Sequence, residues 1–113
     1  MYKQGDIVLV RYPFSDDPTQ TKVRPAVVIS NETANRLDRD VLIAQITSSL
    51  RQTPFSFALT SADVTVPLPK ASEVRCNKIA TVRDNVILQT LSAVKPERLP
   101  SLIAIVYEAI RVI

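Results

Sequence analysis

Val41-Leu42-Ile43-Ala44-Gln45-Ile46, closed by Thr47-Ser48-Ser49, is a near-continuous apolar run of strand length that ends abruptly in hydroxyls. Its length and β-branched content fit a buried strand better than a helix, and the Thr-Ser-Ser cluster fits the turn chemistry at a strand end. Two similar runs precede it, Ile7 to Val10 and Ala26 to Ile29, each bounded by Asp, Pro, Asn or Ser. Further on, Phe55, Phe57 and Leu59 alternate with Ser56, Ala58 and Thr60. That period of two predicts a strand with one covered face near the edge of a sheet.

Glu73 to Val82 and Val86 to Val94 extend the series of strands. Simple alternation in the first of these puts Val74, Cys76, Lys78 and Ala80 on one face and Arg75, Asn77, Ile79 and Thr81 on the other, so that Arg75 and Asn77 project together. Val64 to Pro69 is extended but limited by proline, which predicts an edge or a loop. Asn31 to Asp40 suits a helical turn or two on the surface. After Pro96 and Pro100, the residues Leu99, Leu102, Ile103, Val106, Ile110 and Ile113 recur at helical spacing, predicting a C-terminal helix with Pro100 in its first turn. Residues 1–113 read as one domain, mainly β, a small curved antiparallel sheet or barrel closed by a helix.

Composition removes several chemistries. The chain has 113 residues, enough for one continuous core without staples. Its single glycine, Gly5, rules out glycine-rich phosphate loops, which need backbone close to phosphate at several glycine positions. With no histidine and one cysteine, neither a zinc finger nor a Ser-His-Asp or Cys-His arrangement can be assembled in one chain. No metal site or cofactor is predicted. The lone Cys76 fits a reducing compartment and reads as a small buried apolar residue. The apolar tail from Leu102 to Ile113 is shorter than the roughly 20 residues of a membrane span and is broken by Glu108 and Arg111, and the start of the chain has no apolar signal region. A soluble, cytoplasmic protein is the expectation. Lys and Arg exceed Asp and Glu by 14 to 11, a balance that suits a nucleic acid only where the arginines cluster.

The polar residues at strand ends are the candidate site. Arg24-Pro25 stands directly before a buried run, and Thr47-Ser48-Ser49 directly after another. With Arg75, they form a plausible cradle for one phosphodiester. Arg24, whose guanidinium carries a fixed positive charge, suits charge stabilisation; Thr47 is a donor to a non-bridging oxygen; Arg75 either adds charge or protonates a leaving oxygen. The long polar stretch Pro13 to Lys22 exceeds a tight hairpin and carries Phe14, which either stacks on a base or folds back on the core.

Four blocks in register carry a resemblance: Gly5-Asp6-Ile7-Val8-Leu9-Val10; Lys22-Val23-Arg24-Pro25-Ala26-Val27-Val28-Ile29; Ile46-Thr47-Ser48; and Ser72-Glu73-Val74-Arg75-Cys76-Asn77-Lys78-Ile79-Ala80-Thr81. Together they resemble the MazF/PemK family of toxin endoribonucleases over nearly the whole chain. The resemblance implies an SH3-like small barrel, the PemK/CcdB-like toxin fold, with a C-terminal α-helix. It also implies a homodimer, neutralised by a cognate antitoxin that occupies the RNA groove and, through that complex, a route to DNA. The implied activity is metal-free cleavage of single-stranded RNA at short sequences. The 2′-hydroxyl attacks the adjacent phosphate and leaves a cyclic phosphate and a 5′-hydroxyl.

On matching positions, Arg24 and Thr47 carry the family's catalytic arginine and threonine, Ser48 extends the phosphate contact and Arg75 matches a basic catalytic residue of the PemK-like branch. Phe14, Gln20, Ser49 and Asn77 join Ser48 as expected substrate contacts. Two positions depart from the family pattern. Asn77 replaces an acidic residue and Thr19 a glutamate, so the general base is unassigned, with Asp16 and Asp17 on the same loop. The rival reading is a toxin-fold protein that binds without cutting, either of the gyrase-binding type or a degenerate member. Gyrase-binding relatives depend on aromatic C-terminal residues, whereas this chain ends Ile110-Arg111-Val112-Ile113 and has no tryptophan.

Overall fold

The computed structural model describes residues 1–13 and 21–113. Six strands form one antiparallel sheet: β1 Asp6–Pro13, β2 Thr21–Val28, β3 Asp40–Thr47, β4 Ser56–Leu59, β5 Ser72–Arg83 and β6 Ile87–Ala93, in the order β4-β5-β3-β2-β1-β6. Among the described residues two α-helices accompany the sheet, α1 Glu32–Asp38 and α2 Leu99–Ile110. The expected mainly β fold with a C-terminal helix is present, and β4 lies at the sheet edge as its alternation predicts. The sheet is barrel-like rather than closed. Val64 pairs with Val94 in an isolated bridge, and Thr65 N–H donates to Ala93 O at 2.8 Å, so the chain leaving the β4 edge clasps the β6 end.

Two apolar clusters build the interior. Ile7, Val27, Ala44, Ile46, Phe57, Leu59, Val74 and Cys76 pack with Leu102 and Val106 of α2. Val8, Val10, Ala26, Val28, Val41 and Ile43 pack in the second cluster with Ile87. Neighbouring residues of β1, β2 and β3 thus point to different clusters, which is why these strands read as unbroken apolar runs rather than alternating ones.

The simple alternation expected for β5 does not hold. Its register against β3 jumps from Gln45↔Arg75 to Ala44↔Ile79, placing Cys76, Asn77 and Lys78 in a bulge. Val74 and Cys76 are buried in the first cluster, Lys78 is exposed, and Ala80 packs against the second. A bulge bends a strand and changes which face its residues meet, so one strand serves both cores.

The helix also differs from its periodicity in one respect. Leu102 and Val106 are buried and Leu99 and Ile103 pack against the core, but Ile110 and Ile113 are exposed. Arg111 is already extended and its N–H caps Tyr107 O, so the last apolar positions run past the sheet. Pro100 lies in the first turn, where its missing N–H costs nothing. α1 is capped by Asn31, whose side-chain oxygen accepts from Ala34 N–H at 3.0 Å.

Gly5 has φ +97, a conformation unfavourable to side chains, and its N–H donates to Val28 O at 2.7 Å while its O accepts from Val94 N–H at 2.8 Å. A Cβ there would stand 2.9 Å from Leu99 Cδ2. Asp63 ties the chain after β4 to the approach of α2: its carboxylate accepts from Thr60 N–H at 2.9 Å, Thr60 Oγ1 at 2.7 Å and Arg98 Nε at 2.8 Å. Among the described residues no helix is long and apolar enough to cross a membrane.

Candidate functional site

The site opens where two strands part. β2 pairs with β3 only through Ala26↔Gln45, Val27↔Ala44 and Val28↔Ile43. Pro25 comes just before that ladder, and a residue without an N–H cannot donate to it. Beyond Gln45, strand β3 pairs with β5 alone, through Ile46↔Val74 and Thr47↔Glu73. The lips that result are Arg24-Pro25 on one side and Ile46-Thr47 on the other.

Between them lies a cleft of about 510 Å³. Arg24, Thr47, Ser48, Ser49 and Arg75, drawn from β2, the end of β3 and β5, all line it. Its apolar wall includes Leu9, Pro25 and Leu91. Arg51 and Lys70, which sequence patterning did not single out, bring the cationic lining residues to four, and no carboxylate among the described residues lines the cleft. The connectors that carry them have no periodicity to read. Their only signal is charge within the segments that follow β3 and precede β5.

Thr47 is prepared for donation. Its Oγ1 accepts from Ser49 N–H at 3.0 Å, which orients the hydroxyl and leaves its own proton for another acceptor. Arg24 and Arg75 are partly buried, held by strand backbone rather than by loops. Neither forms an ion pair with a carboxylate of the described residues, so both guanidinium groups keep their donors for a ligand. Asn77 is exposed in the β5 bulge and does not line the cleft. Phe14 and Gln20, with Asp16, Asp17 and Thr19, lie outside the described residues.

Opposite Thr47 in the β3–β5 ladder is Glu73, 3% exposed. Burial pushes its carboxyl up, but hydrogen bonds from Ser56, Gln52 and Arg51 and the nearby Arg75 charge outweigh that and hold it below the usual carboxylate range. Cys76 is the opposite case. Burial, reinforced by the Glu73 charge, pushes its thiol up to about 12, consistent with a packing role and not with a nucleophile.

A basic, hydroxyl-lined cleft lies at the parted ends of a curved antiparallel sheet, on a fold shared with known toxins. The chain belongs to the PemK-like, MazF-like toxins of type II toxin–antitoxin systems, whose family model matches residues 3–110. Members of that family are in general endoribonucleases. Among solved structures, a mycobacterial endoribonuclease in complex with its cognate antitoxin is 19% identical, with a TM-score of 0.79 over 96% of this chain and 94% of that one. The Mycobacterium tuberculosis toxin MazF-mt6 is 18% identical, with a TM-score of 0.74 over 92% and 94% of the two chains. A MazE-MazF structure from Deinococcus radiodurans gives 16% identity and a TM-score of 0.74 over 95% and 93%. Identities this low show a common fold. Comparison with curated protein sequences gives no match.

Proposed function

We propose that this chain is a cytoplasmic toxin that cuts single-stranded mRNA at short sequences without a metal, as a homodimer restrained by a cognate antitoxin. The observation that carries the reading is the convergence of Arg24, Thr47, Ser48, Ser49 and Arg75 on one cleft. Family membership and a shared fold with an endoribonuclease bound to its antitoxin support it.

In the proposed reaction the 2′-hydroxyl oxygen bonds to the adjacent phosphorus and the bond to the 5′ oxygen breaks. The products are a 2′,3′-cyclic phosphate and a 5′-hydroxyl. Arg24 balances the charge that grows on the non-bridging oxygens, and the Thr47 hydroxyl donates to one of them. Ser48 and Ser49 extend the cradle around the phosphate, while Arg75 adds positive charge where the 5′ oxygen departs and takes up a proton from solvent. Fixing the phosphate for in-line attack is the main contribution of such a site. No carboxylate of the described residues lines the cleft, so the 2′ proton leaves to solvent or to a group outside them.

Purified protein incubated with a long unstructured RNA in EDTA tests this. Cyclic-phosphate ends made by the unmutated chain, with Arg24→Ala or Thr47→Ala slower by about 100- to 1000-fold, are the expected result. Bound but uncut RNA across several sequences would instead identify a binding-only member of the family.

A further inference from the structure

Glu73 is a charged side chain buried in the middle strand of three, with Thr47 of β3 opposite on one side and Ala58 of β4 on the other. Burying a carboxylate is costly unless it is well hydrogen-bonded, and none of the ion pairs among the described residues includes it. Its partners all come from one turn. Oε1 accepts from Gln52 N–H at 3.1 Å and Oε2 from Ser56 Oγ at 2.7 Å.

The turn is braced further from within. Ser56 Oγ accepts from Thr53 N–H at 3.0 Å, and Thr53 Oγ1 from Phe55 N–H at 3.1 Å. Gln52 is held at φ +52, a left-handed conformation that a non-glycine residue keeps only when its surroundings enforce it. Upstream, the same connector carries Thr47, Ser48, Ser49 and Arg51 into the cleft. One buried carboxylate therefore anchors the far end of the segment whose near end faces the ligand.

We propose that Glu73 is a positioning residue: through its bonds to Gln52 and Ser56 it fixes the Thr47–Ser56 connector and so holds the Thr47 hydroxyl and Arg51 in place for cleavage of the phosphodiester. This rests on the nuclease reading above. It assigns Glu73 no contact with RNA, and its charge serves as an acceptor for two donors at once, one on each carboxylate oxygen.

Full-length Glu73→Gln and Ser56→Ala proteins test the assignment, with amide hydrogen exchange and cleavage of a long unstructured RNA as paired readouts. Affinity is measured with a 2′-fluoro transcript of the same sequence, which lacks the attacking hydroxyl. In Glu73→Gln, exchange at Gln52 and Thr53 should quicken while Val27 and Ile43 stay protected. The cleavage rate constant should fall by about 10- to 100-fold, and affinity by less than the rate. Ser56→Ala removes one donor and should show the same pattern more weakly. A folded Glu73→Gln protein with unchanged exchange, or with an unchanged rate, overturns the proposal. If Glu73→Gln does not fold, Ser56→Ala decides: an unchanged rate or unchanged exchange overturns it equally. Unmutated protein that cuts no RNA overturns the nuclease reading first, and the exchange data then show only whether Glu73 holds the connector.

Discussion

Thr47 has a hydroxyl whose acceptor side is occupied by Ser49 N–H, so its chemistry is directional before any ligand arrives. Thr47→Ser keeps both bonds and should retain most of the activity, whereas Thr47→Val has nearly the same shape but neither bond. Cleavage assays of the pair separate the hydroxyl from the packing, and a Val variant as active as the Ser variant would remove Thr47 from the mechanism. Cys76 makes the contrasting prediction. Fully buried and with its thiol pushed up to about 12, it should resist alkylating reagents at pH 8 until the protein unfolds. Rapid labelling of folded protein would contradict that environment. At this scale the placement of Arg24, Thr47, Ser48 and Ser49 at the cleft was legible because they stand at the ends of apolar runs, and that of Arg75 because it alternates with Val74 and Cys76 along its strand. The sequence was silent on Arg51, Lys70 and Glu73. Their roles depend on how a connector folds over a strand, and nothing local encodes that approach, although a glutamate two residues before Arg75 on the same strand was visible.

At the scale of elements, Gly5 and Asp63 are the joints. Gly5→Ala places a Cβ at φ +97 against Leu99 and should cost more than about 1 kcal/mol, read as a lower midpoint in urea. Asp63 titrates in a direction that can be worked out. Burial pushes its carboxyl up, but Thr60 and Arg98 pull it further down, so its folded pKa is below its unfolded one. Its stabilisation is therefore complete above the ordinary carboxylate range and is lost as pH falls below about 4. The urea midpoint of the unmutated protein should drop between pH 5 and pH 3, and Asp63→Asn should be less stable at pH 7 but show a smaller drop. An equal drop in both would assign the acid sensitivity elsewhere, with Glu73 the next carboxylate whose pKa is lowered. Elements themselves were legible from apolar runs and from proline, down to Pro100 in the first turn of α2. The β5 bulge was not, because register is set by the neighbouring strand, and three extra residues leave no mark on local hydrophobicity.

For the molecule as a whole, charge arrangement matters more than net charge. An excess of three cations is slight, yet four cationic side chains line one cleft without a carboxylate of the described residues among them. If each meets one phosphate of a single strand, the logarithm of affinity should fall against the logarithm of salt with a slope of about −3, and Lys70→Ala should reduce it by about 0.7. A slope near zero would mean that apolar contacts carry the binding. Composition alone did not show this, since clustering arises only when β2, β3 and β5 are brought together.

The pairing of β1 with β6, and of Gly5 with Val94, has a bearing on synthesis at the ribosome. The strand made first completes its ladder with the strand made last, and α2, which covers Ile7, emerges later still. A nascent chain halted anywhere before β5 would also lack Arg75 and the Glu73 anchor. A growing polypeptide thus passes through β1 to β4 without an assembled cleft, and the lining is complete only once β6, which supplies Leu91, has left the ribosome.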